Sequence, residues 1–130
     1  MAKGIVRKID ELGRITLPIE VRRMFEISSD DRVGLNLDGQ VIRVSKTIVG
    51  MNRPLDHLGR IALPIEYRRT LGLKEKDPVD MYIDNGEICI QKVGCEWCGE
   101  INDLIKVQDH NLCIACAAAV TAAAVRVLEV

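Results

Sequence analysis

The segment Leu12-Gly13-Arg14-Ile15-Thr16-Leu17-Pro18-Ile19-Glu20-Val21-Arg22-Arg23 returns 46 residues later as Leu58-Gly59-Arg60-Ile61-Ala62-Leu63-Pro64-Ile65-Glu66-Tyr67-Arg68-Arg69, identical at ten of twelve positions. The register continues without a gap from Asp10/Asp56 to Lys46/Lys92. A repeat of this period constrains the fold strongly, because each copy is one small unit that cannot bury its apolar face alone. Units of about 45 residues hold too little apolar surface for a comfortable core. The two copies are therefore expected to share a core with each other, or with copies in another chain. The linker Thr47–Asn52 lacks the Gly/Ser composition of a flexible tether and favours copies side by side. The organisation expected is residues 1–50, residues 51–94 and a tail of different character, 95–130.

Each copy reads as strand, turn, strand, short helix, strand, turn, strand, which makes the fold mostly β. Gly4–Ile9 carries β-branched residues, and Glu11-Leu12-Gly13 supplies a turn in which glycine is free to take positive φ. Arg14–Leu17 is a second short strand. A helix is expected from Pro18, at its first position, to Phe25, with Ile19 and Phe25 toward the core. In the second copy it runs from Pro64 to Leu71 and stops at Gly72. Alternation then puts Val33, Leu35 and Leu37 on one face, as it does Val79, Met81 and Ile83. Asp38-Gly39 and Asp84-Asn85-Gly86 are hairpin turns, and the closing strands turn Ile42, Val44, Ile88 and Ile90 inward. Pro54, opposite Lys8 in the alignment, removes a ladder donor, so the first strand of copy two should be shorter or lie at an edge.

Net charge is −1, which by itself argues against a polyanionic partner. Its distribution argues the other way. Residues 1–23 carry six basic and three acidic groups and residues 51–70 four and two, whereas 24–50, 71–94 and 95–130 are each net negative. A fold alone would preserve apolar positions, yet Arg7, Arg14, Arg22 and Arg23 all recur, as Arg53, Arg60, Arg68 and Arg69. Arginine stays charged and presents a planar fork of donors suited to phosphate oxygens and the guanine edge. The bland alternative is surface ion pairing with Glu20, Glu66 and Asp10, worth about 0–1 kcal/mol a pair. Four arginines repeated in register within an otherwise acidic chain favour contact with nucleic acid.

The stretch from Gly4-Ile5-Val6-Arg7-Lys8-Ile9-Asp10-Glu11-Leu12-Gly13-Arg14-Ile15 through Leu17-Pro18-Ile19-Glu20-Val21-Arg22-Arg23 resembles the N-terminal domain of AbrB/SpoVT-type bacterial transcription regulators. The resemblance covers both repeats. It implies a swapped-hairpin β-barrel in which two copies interleave, and here one polypeptide would supply both halves as a pseudo-dimer. Exchange between chains is the other arrangement it allows. It also implies contact with double-stranded DNA through Arg7, Arg14, Arg22 and Arg23, with Lys8 beside them, and through Arg53, Arg60, Arg68 and Arg69. The copies differ at Lys8/Pro54, Glu11/His57 and Thr16/Ala62, so unequal half-sites are expected.

The tail holds Cys95-Glu96-Trp97-Cys98 and, after fourteen residues, Cys113-Ile114-Ala115-Cys116. Two such pairs suit one tetrahedral Zn²⁺ in a closed, structural site. Gly99 permits the knuckle turn, and a redox or disulfide role fits the spacing and an intracellular chain less well. His110 is a weaker candidate ligand, and Cys89, between Ile88 and Ile90, is read as a packing residue or surface thiol. Ala117–Leu128 has helical composition, and assembly of chains into a homo-oligomer, or effector sensing, is the role expected for the tail.

No secretory signal is visible, and the Ala-rich run Leu112–Val125 is too short and weakly apolar to span a bilayer. A soluble, cytoplasmic, nucleoid-associated bacterial protein without membrane contact is expected. No nucleophile–base pairing or phosphate-binding Gly-rich loop supports an enzyme. The competing reading is an antitoxin-like protein of the MazE type, which shares the swapped-hairpin fold but normally carries an extended toxin-binding tail.

Overall fold

In the computed structural model, residues 4–108 and 110–128 are described. The chain divides into two compact units that meet at Lys92/Val93.

The first unit contains both repeats. Copy one supplies β1 (Ile5–Lys8), β2 (Arg14–Thr16), α1 (Ile19–Met24), β3 (Arg32–Asp38) and β4 (Val41–Ser45). Copy two supplies β5 (Asn52–Pro54), β6 (Arg60–Ala62), α2 (Ile65–Leu71), β7 (Pro78–Asp84) and β8 (Glu87–Lys92). The hairpins β3–β4 and β7–β8 pair within their own copies, but the first strands do not. β1 of copy one lies antiparallel on β7 of copy two, and β5 of copy two lies antiparallel on β3 of copy one. The six-stranded sheet has the order β1-β7-β8-β4-β3-β5, and β2 and β6 form a separate ribbon. The expected pseudo-dimer is therefore made within one chain by reciprocal exchange of first strands.

The register exposes a pseudo-two-fold axis. Ile15 faces Ile61 across the ribbon, and Arg43 faces Cys89 across β4 and β8. Each pair joins residues 46 apart, the repeat period. Ribbon residues Ile15, Leu17, Ile61 and Leu63 are buried in one core with Val33, Leu35, Ile42, Val44, Val79, Met81, Ile88 and Ile90 from the sheet. Burial of one such Ile or Leu contributes about 1.5–3 kcal/mol. A core built from both copies at once thus outweighs any set of surface ion pairs and removes the small-unit problem posed by the repeat.

The alternation expected for the last two strands of each copy holds for Val33, Leu35, Val79 and Met81, all buried, but fades at the strand ends, where Leu37 is half-buried and Ile83 is 44% exposed. Pro54 ends β5, a three-residue edge strand against four residues in β1, and it pairs with Arg32. Two details differ. Pro18 is the N-cap of α1 rather than its first helical residue, and Ile19 is 46% exposed, with Val21 taking the inward position beside a half-buried Phe25. A six-residue helix spans fewer than two turns, too few for periodicity to fix its inner face. Gly72 ends α2 in the left-handed region at φ 67°, as expected.

The second unit pairs β9 (Leu104–Val107) with β10 (His110–Cys113), followed by α3 (Ile114–Leu128). The helix starts three residues before the alanine run, so the second cysteine pair straddles the end of a strand and the first turn of a helix. Among the described residues no helix is long and apolar enough to cross a membrane.

Candidate functional site

Two constellations stand out, one in each unit. In the first, each copy folds Asp-Glu/His-Leu-Gly-Arg around a single carboxylate. Asp10 Oδ1 accepts the N–H groups of Leu12 (3.0 Å) and Arg14 (2.8 Å), and Oδ2 accepts Arg14 Nε at 2.8 Å. Asp56 does the same for Leu58 (2.9 Å), Arg60 (2.8 Å) and Arg60 Nε (2.6 Å). Gly13 and Gly59 complete the turns at φ +76° and +77°. Partial burial acts to raise the Asp56 carboxyl, but the Arg60 amide and guanidinium and the Leu58 amide outweigh it and hold it at about 2. Asp10 is lowered through its equivalent partners, Arg14 and Leu12.

These turns lock across the pseudo-axis. Leu17 N donates to Gly59 O at 2.9 Å and Leu63 N to Gly13 O at 3.0 Å. Arg22 Nε donates to Leu17 O at 2.9 Å, and Arg68 Nε to Leu63 O at 3.0 Å. Each guanidinium then lies over the turn glycine of the other copy. A Cβ on Gly59 would stand 2.6 Å from Arg22 Cζ, and one on Gly13 would stand 2.4 Å from Arg68 Cζ. Arg14 Nη1 also reaches Asp56 Oδ2 at 3.7 Å across the axis.

Arg14 and Arg60 on the ribbon are thereby joined by Arg22 and Arg68, which reach over it from α1 and α2. Arg14 and Arg60 keep about a quarter of their side chains exposed (26% and 27%) while ion-paired. Arg23 and Arg69, the next helical residues, are exposed, and among the described residues neither they nor Arg22 and Arg68 have a carboxylate within 4.0 Å. Arg7 and Lys8 lie exposed on β1, and Arg53 lies on β5, the two edge strands of the sheet. Arg7 Nη1 and Arg53 Nη1 bond to the neighbouring carbonyls of Val6 and Asn52. Of the ion pairs in the bland alternative, Arg14–Asp10 is present, with its mate Arg60–Asp56, while among the described residues none involves Glu20 or Glu66. Leu12 (64% exposed), Leu58 (54%), Ile19 and Ile65 (46% each) stand out beside the arginines in axis-related pairs.

Sequence reasoning missed the two aspartates as organisers of the turn and the two glycines as seats for the opposite arginine. Both pairs recur in the repeat, and that recurrence was the available signal.

The second constellation is the cysteine cluster. The Sγ atoms of Cys95, Cys98, Cys113 and Cys116 all lie within 4.8 Å of one another, and Cys98 and Cys113 are 3.7 Å apart. A tetrahedron of sulfurs about 2.3 Å from a central ion has edges of about 3.8 Å, so the donor set fits one metal ion. The first pair turns on Gly99 (φ +84°), whose N–H bonds to Cys95 O at 2.9 Å. Burial acts to raise the Cys95 thiol, but amide donors of Cys113, Cys98 and Trp97 bring it to about 6, while the thiols of Cys113 and Cys95 push Cys116 up to about 12. His110 is not part of the set: its Nδ1 lies 3.0 Å from Glu96 Oε1. Cys89 is fully buried on the sheet face opposite the core, 3.4 Å from Arg43 Nη1.

Reciprocal first-strand exchange about the ribbon defines a swapped-hairpin domain. Residues 56–97 match the family described as "Antidote-toxin recognition MazE, bacterial antitoxin". The chain is also 49% identical over 43 residues, 33% of its length, to the "Putative transition state regulator Abh" of Bacillus subtilis (strain 168), covering 47% of that protein. It is 46% identical over 43 residues (33% of the chain) to the "Transition state regulatory protein AbrB" of the same organism, covering 45% of it. A third relative there, "Stage V sporulation protein T", is 46% identical over 43 residues (32% of the chain) and covered over 24%. A stretch of 43 residues is thus similar to regulators of the AbrB/SpoVT type. The chain spans less than half the length of each of these relatives.

Proposed function

We propose that the chain is a DNA-binding transcription regulator whose two copies present one duplex-facing surface, centred on Arg14, Arg60, Arg22 and Arg68. Arg23, Arg69, Arg7, Lys8 and Arg53 extend it. The observation that carries the reading is the convergence of four repeated arginines over a single ribbon across the pseudo-axis. The Arg14–Asp10 and Arg60–Asp56 pairs are partly exposed and worth at most about 1 kcal/mol each, so they aim the guanidinium groups without withholding them from phosphate. The exposed leucines and isoleucines alongside suit sugar and thymine-methyl contact. Because Lys8/Pro54, Glu11/His57 and Thr16/Ala62 differ, the two halves read unequal half-sites.

Fluorescence anisotropy on labelled duplex over a salt series tests this. With six to eight arginines on phosphate, log affinity should fall against log salt with a slope of about −5 to −7. Arg14→Ala/Arg60→Ala should flatten that slope by about 2, with circular dichroism unchanged. An unaltered slope and affinity in the folded double variant would overturn the assignment. Site selection returning a perfect palindrome would overturn the unequal halves.

The tail reading is a structural Zn²⁺ held by Cys95, Cys98, Cys113 and Cys116. Four thiolates leave no open coordination position, so the ion holds the hairpin and the helix start together and does no chemistry. Metal analysis of purified protein should give one zinc per chain, lost in Cys95→Ser/Cys98→Ser.

A second reading rests on the antitoxin family match over residues 56–97. It predicts stoichiometric co-purification of a toxin encoded beside this chain, and failure of such a pair to form refutes it.

A further inference from the structure

The pseudo-axis relates every position in one copy to a position in the other, so a departure from symmetry inside the core is informative. Val21 and Tyr67 are such a pair, 46 residues apart. Tyr67 is partly buried, packs on the common core and donates its hydroxyl to Leu35 O at 3.3 Å. The axis mate of Leu35 is Met81, and Val21 offers only two methyl groups where Tyr67 has a phenol ring. The place left open is a half-open pocket of about 290 Å³, lined by Gly4, Ile5, Val21, Met81, Tyr82, Ile83 and Ile88. Its floor is apolar, with Val21, Met81 and Ile88 at most 8% exposed, while Ile83 at the mouth is 44% exposed and the Tyr82 hydroxyl is bonded to Gln91.

We propose that this cavity binds a small neutral single-ring aromatic molecule, which takes the position that the Tyr67 ring fills in the other copy. The size fits, since a dry apolar cavity about half as large accepts benzene. The chemistry fits as well: on the other side of the axis, where Leu35 stands for Met81, Leu37 for Ile83 and Met51 for Ile5, the Tyr67 phenol packs on the same core. The lining residues carry no charged side chain, so the pocket favours a neutral ligand. Val21 directly precedes Arg22 on α1, so the cavity wall and the arginine ribbon share one short helix.

The probe is p-cresol, the tyrosine side chain as a free molecule, followed by NMR on methyl-labelled protein without DNA. Wild type should show saturable shifts at the methyl groups of Val21, Ile88 and Met81, with one molecule bound per chain. Val21→Tyr fills the cavity from within and should abolish those shifts. Tyr67→Val opens the matching cavity and should bind a second molecule, with new shifts at Leu35 and Ile42. Absence of saturable shifts in wild type overturns the proposal, as does binding that survives in a folded Val21→Tyr protein. The wild-type titration decides even if one of the variants does not fold. DNA affinity plays no part in the readout, so the result stands apart from the nucleic-acid reading.

Discussion

Gly59→Ala tests the interlock of the two copies at one atom. Gly59 sits at φ +77°, where an L-residue costs about 1–2 kcal/mol. The new methyl would also stand 2.6 Å from Arg22 Cζ and Nε, inside any allowed contact. The guanidinium must leave, which breaks the 2.9 Å bond to Leu17 O, worth about 1 kcal/mol at a partly exposed site. The total loss is about 2–3 kcal/mol, or about 10–20 °C in Tm for a body of this size. Gly39→Ala is the matched control. It has φ +61° and nothing within 4 Å of the added carbon, so it carries the backbone cost alone. Urea unfolding of both should therefore place Gly59→Ala about 1 kcal/mol below Gly39→Ala. Combined with Arg22→Ala, Gly59→Ala should lose that excess, because the displaced group is already gone. Equal losses for the two glycine variants would show that Arg22 moves aside freely and that no latch exists.

Three further outcomes follow from the electrostatics and burial. Asp56 titrates at about 2 when folded against an ordinary 3.8, so its stabilising contribution is complete above 3.8 and disappears as pH falls through about 2. Asp56→Asn should flatten the acid limb of the stability curve in that window and leave the slope near neutrality unchanged, read by urea midpoints at a series of pH values. Cys89 is fully buried and burial pushes its thiol up, so it should resist iodoacetamide in native protein and react only on unfolding; rapid native labelling would contradict its placement. Metal binding to the cysteine cluster requires thiolates, so zinc uptake by stripped protein should release protons and weaken as pH falls, measured by competition with a chromogenic chelator. A pH-independent affinity would argue against a four-thiolate site.

Much of this molecule was legible in its residues. The repeat, the alternation of Val33, Leu35, Ile42 and Val44 with their mates, the turn glycines and the paired cysteines are local patterns, and local patterns follow from backbone geometry. The matched placement of the recurring arginines follows for the same reason: identical sequence in identical local structure gives identical placement. Helix faces were less legible. Ile19 reads as inward on a segment too short to show a period, and Val21 turned out to hold that position.

What only the tertiary structure decided was partnership. Strand alternation says which face of β1 is apolar but not that β1 lies on β7 rather than on β3, because exchanged and unexchanged pairings bury the same side chains. From that exchange came the facts no single copy contains: Arg22 seated on Gly59 of the other repeat, Arg43 meeting Cys89 on the axis, and an open pocket beside Val21, the mate of Tyr67. Contacts across a pseudo-axis join residues distant in sequence and held by opposite copies. Their existence depends on how two units close on one core, a global minimum of burial that no window of sequence records.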